Sequence, residues 1–179
     1  MNMTSKKTRA VVEGALIAAL YAALSIALAP ISFGQVQVRV SEALTLLPLF
    51  TPNAIWGVTI GCVLSNTIGM FMGVNILGFL DIIFGSLATL LAALITRKLK
   101  KPAIKGLPIL APLPPVLLNA VVVGAELTFV TVNHFDARVF LLNAAYVGLG
   151  QLLACYVLGL MLVWLLQRGN LSDKLFFAK

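Results

Sequence analysis

The sequence predicts an all-α integral membrane protein of six transmembrane helices, folded as a single domain over residues 1–179 with both termini cytoplasmic. Of the 179 residues, 60% are apolar and 11% are charged, and mean hydropathy is +1.03. A soluble domain is roughly half apolar and about a quarter charged, so the surplus apolar surface needs a bilayer to face. The basic residues are also bunched. Lys6, Lys7 and Arg9 precede the first apolar run, Arg97, Lys98, Lys100, Lys101 and Lys105 form a mid-chain cluster, and Arg168, Lys174 and Lys179 lie in the tail; only Arg39 and Arg138 fall elsewhere. Basic clusters flanking apolar runs mark the cytoplasmic side, so the net charge of +7 reflects membrane topology and does not point to nucleic acid.

The first span covers residues 10–29. Its basic start and Ala27-Leu28-Ala29 imitate a secretory signal, but the apolar run exceeds the usual h-region and Pro30 hinders cleavage, so a retained helix is expected. Residues 30–41 form an outer loop. Residues 40–50 are too short to cross alone as an α-helix, at about 1.5 Å per residue. Topology nevertheless requires a crossing there, because an even number must separate the N-terminus from the cytoplasmic linker at 97–106. A crossing shortened by facing protein and not lipid meets that need. The third and fourth spans cover residues 54–72 and 76–96. The fifth covers 107–132, with Pro108, Pro112, Pro114 and Pro115 breaking its start. The sixth covers 139–166, and Trp56 and Trp164 fall at the cytoplasmic interface, where indoles settle.

Small residues recur on two helices. Gly57, Gly61, Ser65, Gly69 and Gly73 form a stripe along the third span, where another backbone can approach closely. On the first span, Ala15, Ala19 and Ala23 form one row and Ala18 and Ala22 the adjacent one; internal packing accounts for both. Cys62 and Cys155 lie singly in apolar runs without metal-ligand spacing and read as packing residues.

Charged groups inside a membrane cost several kcal/mol unless paired or hydrated, which makes them functional candidates. Three acids qualify, Glu42, Asp81 and Glu126, and the six-span topology puts all three in the outer half. Asn66, Asn75 and Asn143 fall there too, and Arg39 joins from the outer loop. Asn119 and Glu126 are two turns apart on one face, and Asn143, Tyr146 and Gly150 share another. The pattern describes a polar pocket opening outward. Interhelical hydrogen bonding serves Asn66 and Asn143 equally well, and Arg39 and Glu42, at i and i+3, suit an ion pair. His134, Asp136 and Arg138 read as a solvated outer loop, and Gln151 suits either role.

No phosphate-binding loop, zinc-protease helix or nucleophile elbow is present, so an enzyme is not expected, and no metal or cofactor is called for. Without an ATP-binding element the chain needs partners or an ion gradient to drive transport.

The stretch Ala29-Pro30-Ile31-Ser32-Phe33-Gly34, followed by Gln37-Val38-Arg39-Val40-Ser41-Glu42-Ala43-Leu44-Thr45, resembles the signature of the QueT family of queuosine-precursor transporters. Pro114-Pro115-Val116-Leu117-Leu118-Asn119-Ala120 with Glu126, and Asn143-Ala144-Ala145 before Gly150, fit the same pattern. Gln151 stands where relatives are expected to carry an acid. The resemblance implies a substrate-binding S component of an energy-coupling factor (ECF) transporter in a prokaryotic plasma membrane. Such a protein is a six-helix bundle whose first loop acts as a lid, working with a transmembrane T component and two cytoplasmic ATPases. It further implies that the alanine rows of the first helix, Ala15, Ala18, Ala19, Ala22 and Ala23, dock the T component. The implied deazaguanine ligand would engage Arg39, Glu42, Asn66, Asp81, Asn119, Glu126 and Asn143, with Tyr146 stacking. An S component for another vitamin-like substrate, a solitary ion-coupled carrier and an intramembrane enzyme are the other readings.

Overall fold

The computed structural model describes residues 3–34, 36–100, 103–104, 106–168 and 171–176. Gln35 of the outer loop, Lys101 and Lys105 of the linker and Lys179 of the tail lie outside them. Every named element among the described residues is helical. Helix α1 is Met3–Ala27, followed by one turn at Ala29–Ser32; α2 is a 3₁₀-helix, Val40–Leu49; α3 is Asn53–Phe71. Helix α4 opens with a π-helical turn, Asp81–Gly85, and continues as Ser86–Lys98; α5 is Leu113–Val132. Helix α6 runs Ala137–Gln151, then in π geometry through Leu152–Gly159, then Leu160–Gln167, and α7 is the short Leu171–Leu175.

Four helices are long and apolar enough to cross a membrane, in α1, α3, α5 and α6. Two expected starts move inward. Helix α5 begins at Leu113 and not at 107, with Pro114 in its first turn, because proline is tolerated only where no intrahelical N–H partner is required. Helix α4 is preceded by a turn in which Gly73 and Gly78 have φ of 70° and 58°, values that side-chain-bearing residues rarely adopt.

Helix α2 reaches further than an α-helix of the same ten residues would. A 3₁₀-helix rises about 2.0 Å per residue against 1.5 Å for an α-helix, so α2 extends about 20 Å. Ser41 to Leu49 are all buried. The segment faces protein on all sides, filling the middle of the bundle, while α1, α3, α4, α5 and α6 follow one another in space around it.

Close backbone approach sets the packing. A Cβ on Gly57 would lie 2.8 Å from Ile17 Cβ, one on Gly61 2.6 Å from Tyr21 Cβ, and one on Gly69 2.9 Å from Phe33 Cζ. The glycine stripe is therefore the seam on which α1 and Phe33 seat against α3. Gly73 is not part of the seam, since a Cβ there meets nothing. The same device joins α5 to α6, where Gly124 faces Ala144 Cα at 2.8 Å from its ideal Cβ. Cys62 and Cys155 are free and buried, as packing residues should be. Large apolar side chains such as Leu16, Ile60, Phe84, Val121 and Leu149 stay exposed on the rim, the arrangement expected of helices solvated by lipid. Trp56 and Trp164 are exposed as well, and Arg168 stacks over the Trp164 ring at 4.2 Å.

Candidate functional site

The polar residues singled out in the sequence gather at one end of the bundle, beneath the loop between α1 and α2. Arg39, Glu42, Asn66, Asp81, Asn119, Glu126 and Asn143 are all buried, and Asn75 and Gln151 are buried too. They come from the loop before α2, α2, α3, the turn before α4, α4, α5 and α6, so only the folded bundle brings them together.

The loop is fixed by three contacts. The Gln37 backbone lies against α6 where Gly150 has no side chain, and an added Cβ would sit 2.2 Å from the Gln37 carbonyl oxygen. Phe33 packs on Gly69, and the Arg39 guanidinium lies over the Phe33 ring at 5.0 Å. Arg39 also makes an ion pair, Nη2 to Asp81 Oδ2 at 3.2 Å, and its Nε donates to the Ser32 carbonyl at 3.4 Å. The i, i+3 pairing of Arg39 with Glu42 expected from spacing therefore gives way to Asp81. The 3₁₀ start of α2 and the π turn of α4 bring those two side chains face to face.

Asp81 is well supplied. Asn75 Nδ2 donates to its Oδ2 at 3.1 Å, and Asn66 Nδ2 to its backbone carbonyl at 2.7 Å. The π turn at Asp81–Gly85 widens the helix here, a distortion that often marks functional positions. Glu42 takes a different partner. Tyr21 Oη donates to its Oε1 at 2.5 Å, and one turn further along α1 the Ser25 and Ser41 hydroxyls meet at 2.6 Å. Asn119 faces the Glu42 carboxylate from α5, and Asn143 Nδ2 donates to Thr128 Oγ1 at 3.3 Å.

Several buried atoms have no partner within the protein: Gln37 Nε2, Glu42 Oε2, Asn66 Oδ1, Asp81 Oδ1 and both carboxylate oxygens of Glu126. A buried polar atom without a hydrogen bond costs about 1–3 kcal/mol, and such atoms concentrated at one site are what a bound ligand would satisfy. Beside Glu126 a crevice of about 520 Å³ runs between α4 and α5, lined by Leu80, Phe84, Val121 and Phe129.

Tyr146 is placed differently from expectation. It is 45% exposed, while Val147 is fully buried beside Asn143 and Gly150. At 100° per residue the inward line of α6 passes through 147 and not 146.

Spacing alone does not reveal Tyr21 or Gln37 as site residues, and a buried acid outside the site, Glu13, is also unexpected. Tyr21 is the polar break in an apolar helix face, and Gln37 precedes Arg39 by two positions in an extended loop; both were visible as polar residues out of pattern. Glu13 adds a fourth buried acid to the three expected. Asn53 Nδ2 donates to its Oε2 at 3.1 Å.

The alanine rows separate. Ala18 and Ala22 are buried, Ala18 beneath Gly61, whereas Ala15, Ala19 and Ala23 are exposed. A groove of about 520 Å³ follows the α1–α3 seam, with Gly14, Ala15, Ala19, Trp56 and Ile60 along it. Among the described residues no group of His, Cys, Asp and Glu is arranged to hold a metal ion.

The QueT transporter family model matches residues 11–168. The queuosine precursor transporter QueT of Lactococcus lactis subsp. cremoris (strain MG1363) is 39% identical over 90 residues, covering 49% of each chain; the chain spans about half the length of that curated relative. No solved structure matches. With the family model covering the seam, the loop and every buried acid of the site, the chain belongs to the QueT transporter family.

Proposed function

We propose that this chain is the substrate-specificity component of an ECF-type importer, binding a queuosine precursor of the 7-deazaguanine class for ATP-driven uptake across a prokaryotic plasma membrane. In this reading the chain crosses six times, with α2 and α4 as the additional crossings and both termini cytoplasmic. Residues 30–41 are the outward lid and 97–106 the cytoplasmic linker. The α1–α3 groove with Ala15 and Ala19 receives the transmembrane T component, and two cytoplasmic ATPases supply the energy.

The observation that carries the proposal is the set of unpartnered buried atoms under the loop, in a chain of this family. A deazaguanine offers two N–H donors along one edge, which a carboxylate accepts in parallel, and a carbonyl that an amide N–H can meet. Glu42 and Glu126 offer open carboxylate oxygens, and Gln37 Nε2 an open amide donor. Calorimetry on the purified chain with deazaguanines, guanine, biotin and niacin tests the reading. Tight binding of deazaguanines alone is expected. Binding of a vitamin with no deazaguanine binding would refute the substrate.

A further inference from the structure

The end of the bundle opposite the polar site is basic and carries a cavity of its own. Helix α2 starts beside Arg39 and ends at Leu49, and α4 starts at Asp81 and ends at Lys98. Where the two finish, a cavity of about 290 Å³ is lined by Leu49, Phe50, Arg97 and Lys100, with Ser172, Asp173 and Phe176 from α7 and its exit. Phe176 stacks on Phe50, ring centroids 6.0 Å apart and planes 16° apart, and this contact holds α7 over the end of α2. A second cavity of about 120 Å³ shares Leu49, Phe50 and Lys100 and continues to Val163 and Gln167.

Arg97 is fixed but largely unspent. Its Nη1 donates to the Pro48 carbonyl at 3.0 Å, and a guanidinium has five N–H donors. Among the described residues neither Arg97 nor Lys100 makes an ion pair. The lining sets these two bases and the Ser172 hydroxyl against one acid, Asp173, and so keeps one surplus positive charge. A singly charged anion balances it, as a phosphodiester does. Leu49, Phe50 and Phe176 make the rest of the wall hydrocarbon, which the glycerol and first acyl carbons of a lipid can cover and a free phosphate cannot.

The level in the membrane agrees. Trp164 is exposed one turn before Gln167 on the same helix, and indoles settle at headgroup depth. Leu171 and Leu175, exposed and one turn apart on α7, give that helix an apolar side as well. Basic cavities between spanning helices are a recurrent means of holding anionic headgroups.

We propose that the cavity where α2, α4 and α7 meet binds the headgroup of an anionic glycerophospholipid, with Arg97 and Lys100 on the phosphodiester, Ser172 donating to it, and Phe50 and Phe176 against the glycerol. The lipid ties these three ends together, and its binding does not depend on which ligand the polar site takes.

Native mass spectrometry of the full chain in detergent tests this, titrating phosphatidylglycerol, phosphatidylcholine with the same acyl chains, and soluble glycerophosphoglycerol, which is the headgroup without its chains. Each base beside an anionic headgroup corresponds to about 5-fold in affinity, so phosphatidylglycerol should bind about 5- to 30-fold tighter than phosphatidylcholine. Equal binding of the two lipids overturns the anionic specificity, and soluble headgroup binding as tightly as the lipid overturns the lipid source. Arg97→Gln with Lys100→Gln should remove the preference. Lys98→Gln with Lys174→Gln removes the same two charges from exposed positions outside both cavities and should keep it; equal losses in the two double variants overturn the cavity in favour of diffuse surface charge. Lys100 makes no side-chain hydrogen bond among the described residues, so Lys100→Gln decides even if loss of the Arg97 bond to Pro48 unfolds the chain. Binding about 5-fold weaker is expected there, and an unchanged affinity overturns the site.

Discussion

Arg39 and Asp81 are 42 positions apart in sequence and 3.2 Å apart in space, both buried, and this pair ties the loop to the head of α4. Breaking one member of a buried pair leaves the other as an uncompensated charge, at a cost of about 3–5 kcal/mol. Arg39→Ala and Asp81→Ala should each lower the unfolding free energy in detergent by that order. The double replacement Arg39→Met with Asp81→Leu should recover most of the loss. Single losses that simply add in the double variant would show that the two groups act independently.

Tyr21 carries the equivalent tie from α1 to α2. Its hydroxyl donates to Glu42 at 2.5 Å in a fully buried setting, and a hydrogen bond to a charged group contributes about 1.5–3 kcal/mol. Tyr21→Phe keeps the ring and the Cβ that seats on Gly61 and removes only the donor. It should destabilise by that amount and weaken ligand binding, because Glu42 Oε1 then loses its donor. A Tyr21→Phe melt superimposable on the parent would show that this bond contributes nothing.

How much of this was legible beforehand depended on range. The long helices could be read because twenty apolar residues are a local property, and the polar cluster could be read because topology alone put three acids at one level. What escaped depended on contacts between segments. Residues 40–49 form a 3₁₀-helix buried from Ser41 to Leu49, a placement among other segments that no local pattern encodes. The choice of Asp81 over Glu42 as partner for Arg39 depends on the π turn of α4. Ala15 and Ala18 are three positions apart, yet one faces outward and the other lies under Gly61; only the position of α3 distinguishes them.

Gly150 tests whether the loop acts as a lid. The Gln37 carbonyl oxygen would be 2.2 Å from an added Cβ, and the carbonyl carbon 2.6 Å, so Gly150→Ala must push the loop away from α6. Overpacking of this kind costs about 1–3 kcal/mol. The expected result is faster proteolysis within residues 33–39 and weaker ligand binding. Gly61→Ala, which forces α1 off α3, should instead lower the melting point without exposing the loop. Unchanged cleavage in Gly150→Ala would mean that the loop is not held there.

Asp136 provides a pH test outside the spans. It caps α6, its Oδ1 accepting from Arg138 N at 2.8 Å and Val139 N at 3.1 Å. The bonds from Val139 and Arg138 hold its carboxyl below the usual aspartate range. A depressed pKa contributes stability that is present above the unfolded-state value and lost as pH falls through the folded-state value. Asp136→Ala should therefore be less stable than the parent at neutral pH, and the two melting curves should converge on acidification. A gap that persists in acid would assign the loss to something other than the charged cap.

The two alanine rows make the proposed partner surface separable from the packing surface. Ala15 and Ala19 are exposed along the α1–α3 groove, so indoles there project away from the bundle and obstruct whatever seats in the groove. Ala15→Trp with Ala19→Trp should leave ligand binding and the melting point near those of the parent, while abolishing uptake in liposomes that also hold the T component and its ATPases. Ala18 and Ala22 have no such freedom, since the Ala18 carbonyl would be 2.9 Å from a Cβ on Gly61. Ala18→Trp should therefore unseat α1 and reduce binding and uptake together. If the Ala15 and Ala19 pair behaves like Ala18, the groove belongs to the fold and the partner docks elsewhere. If that pair transports normally with its partners, the exposed row has no part in coupling.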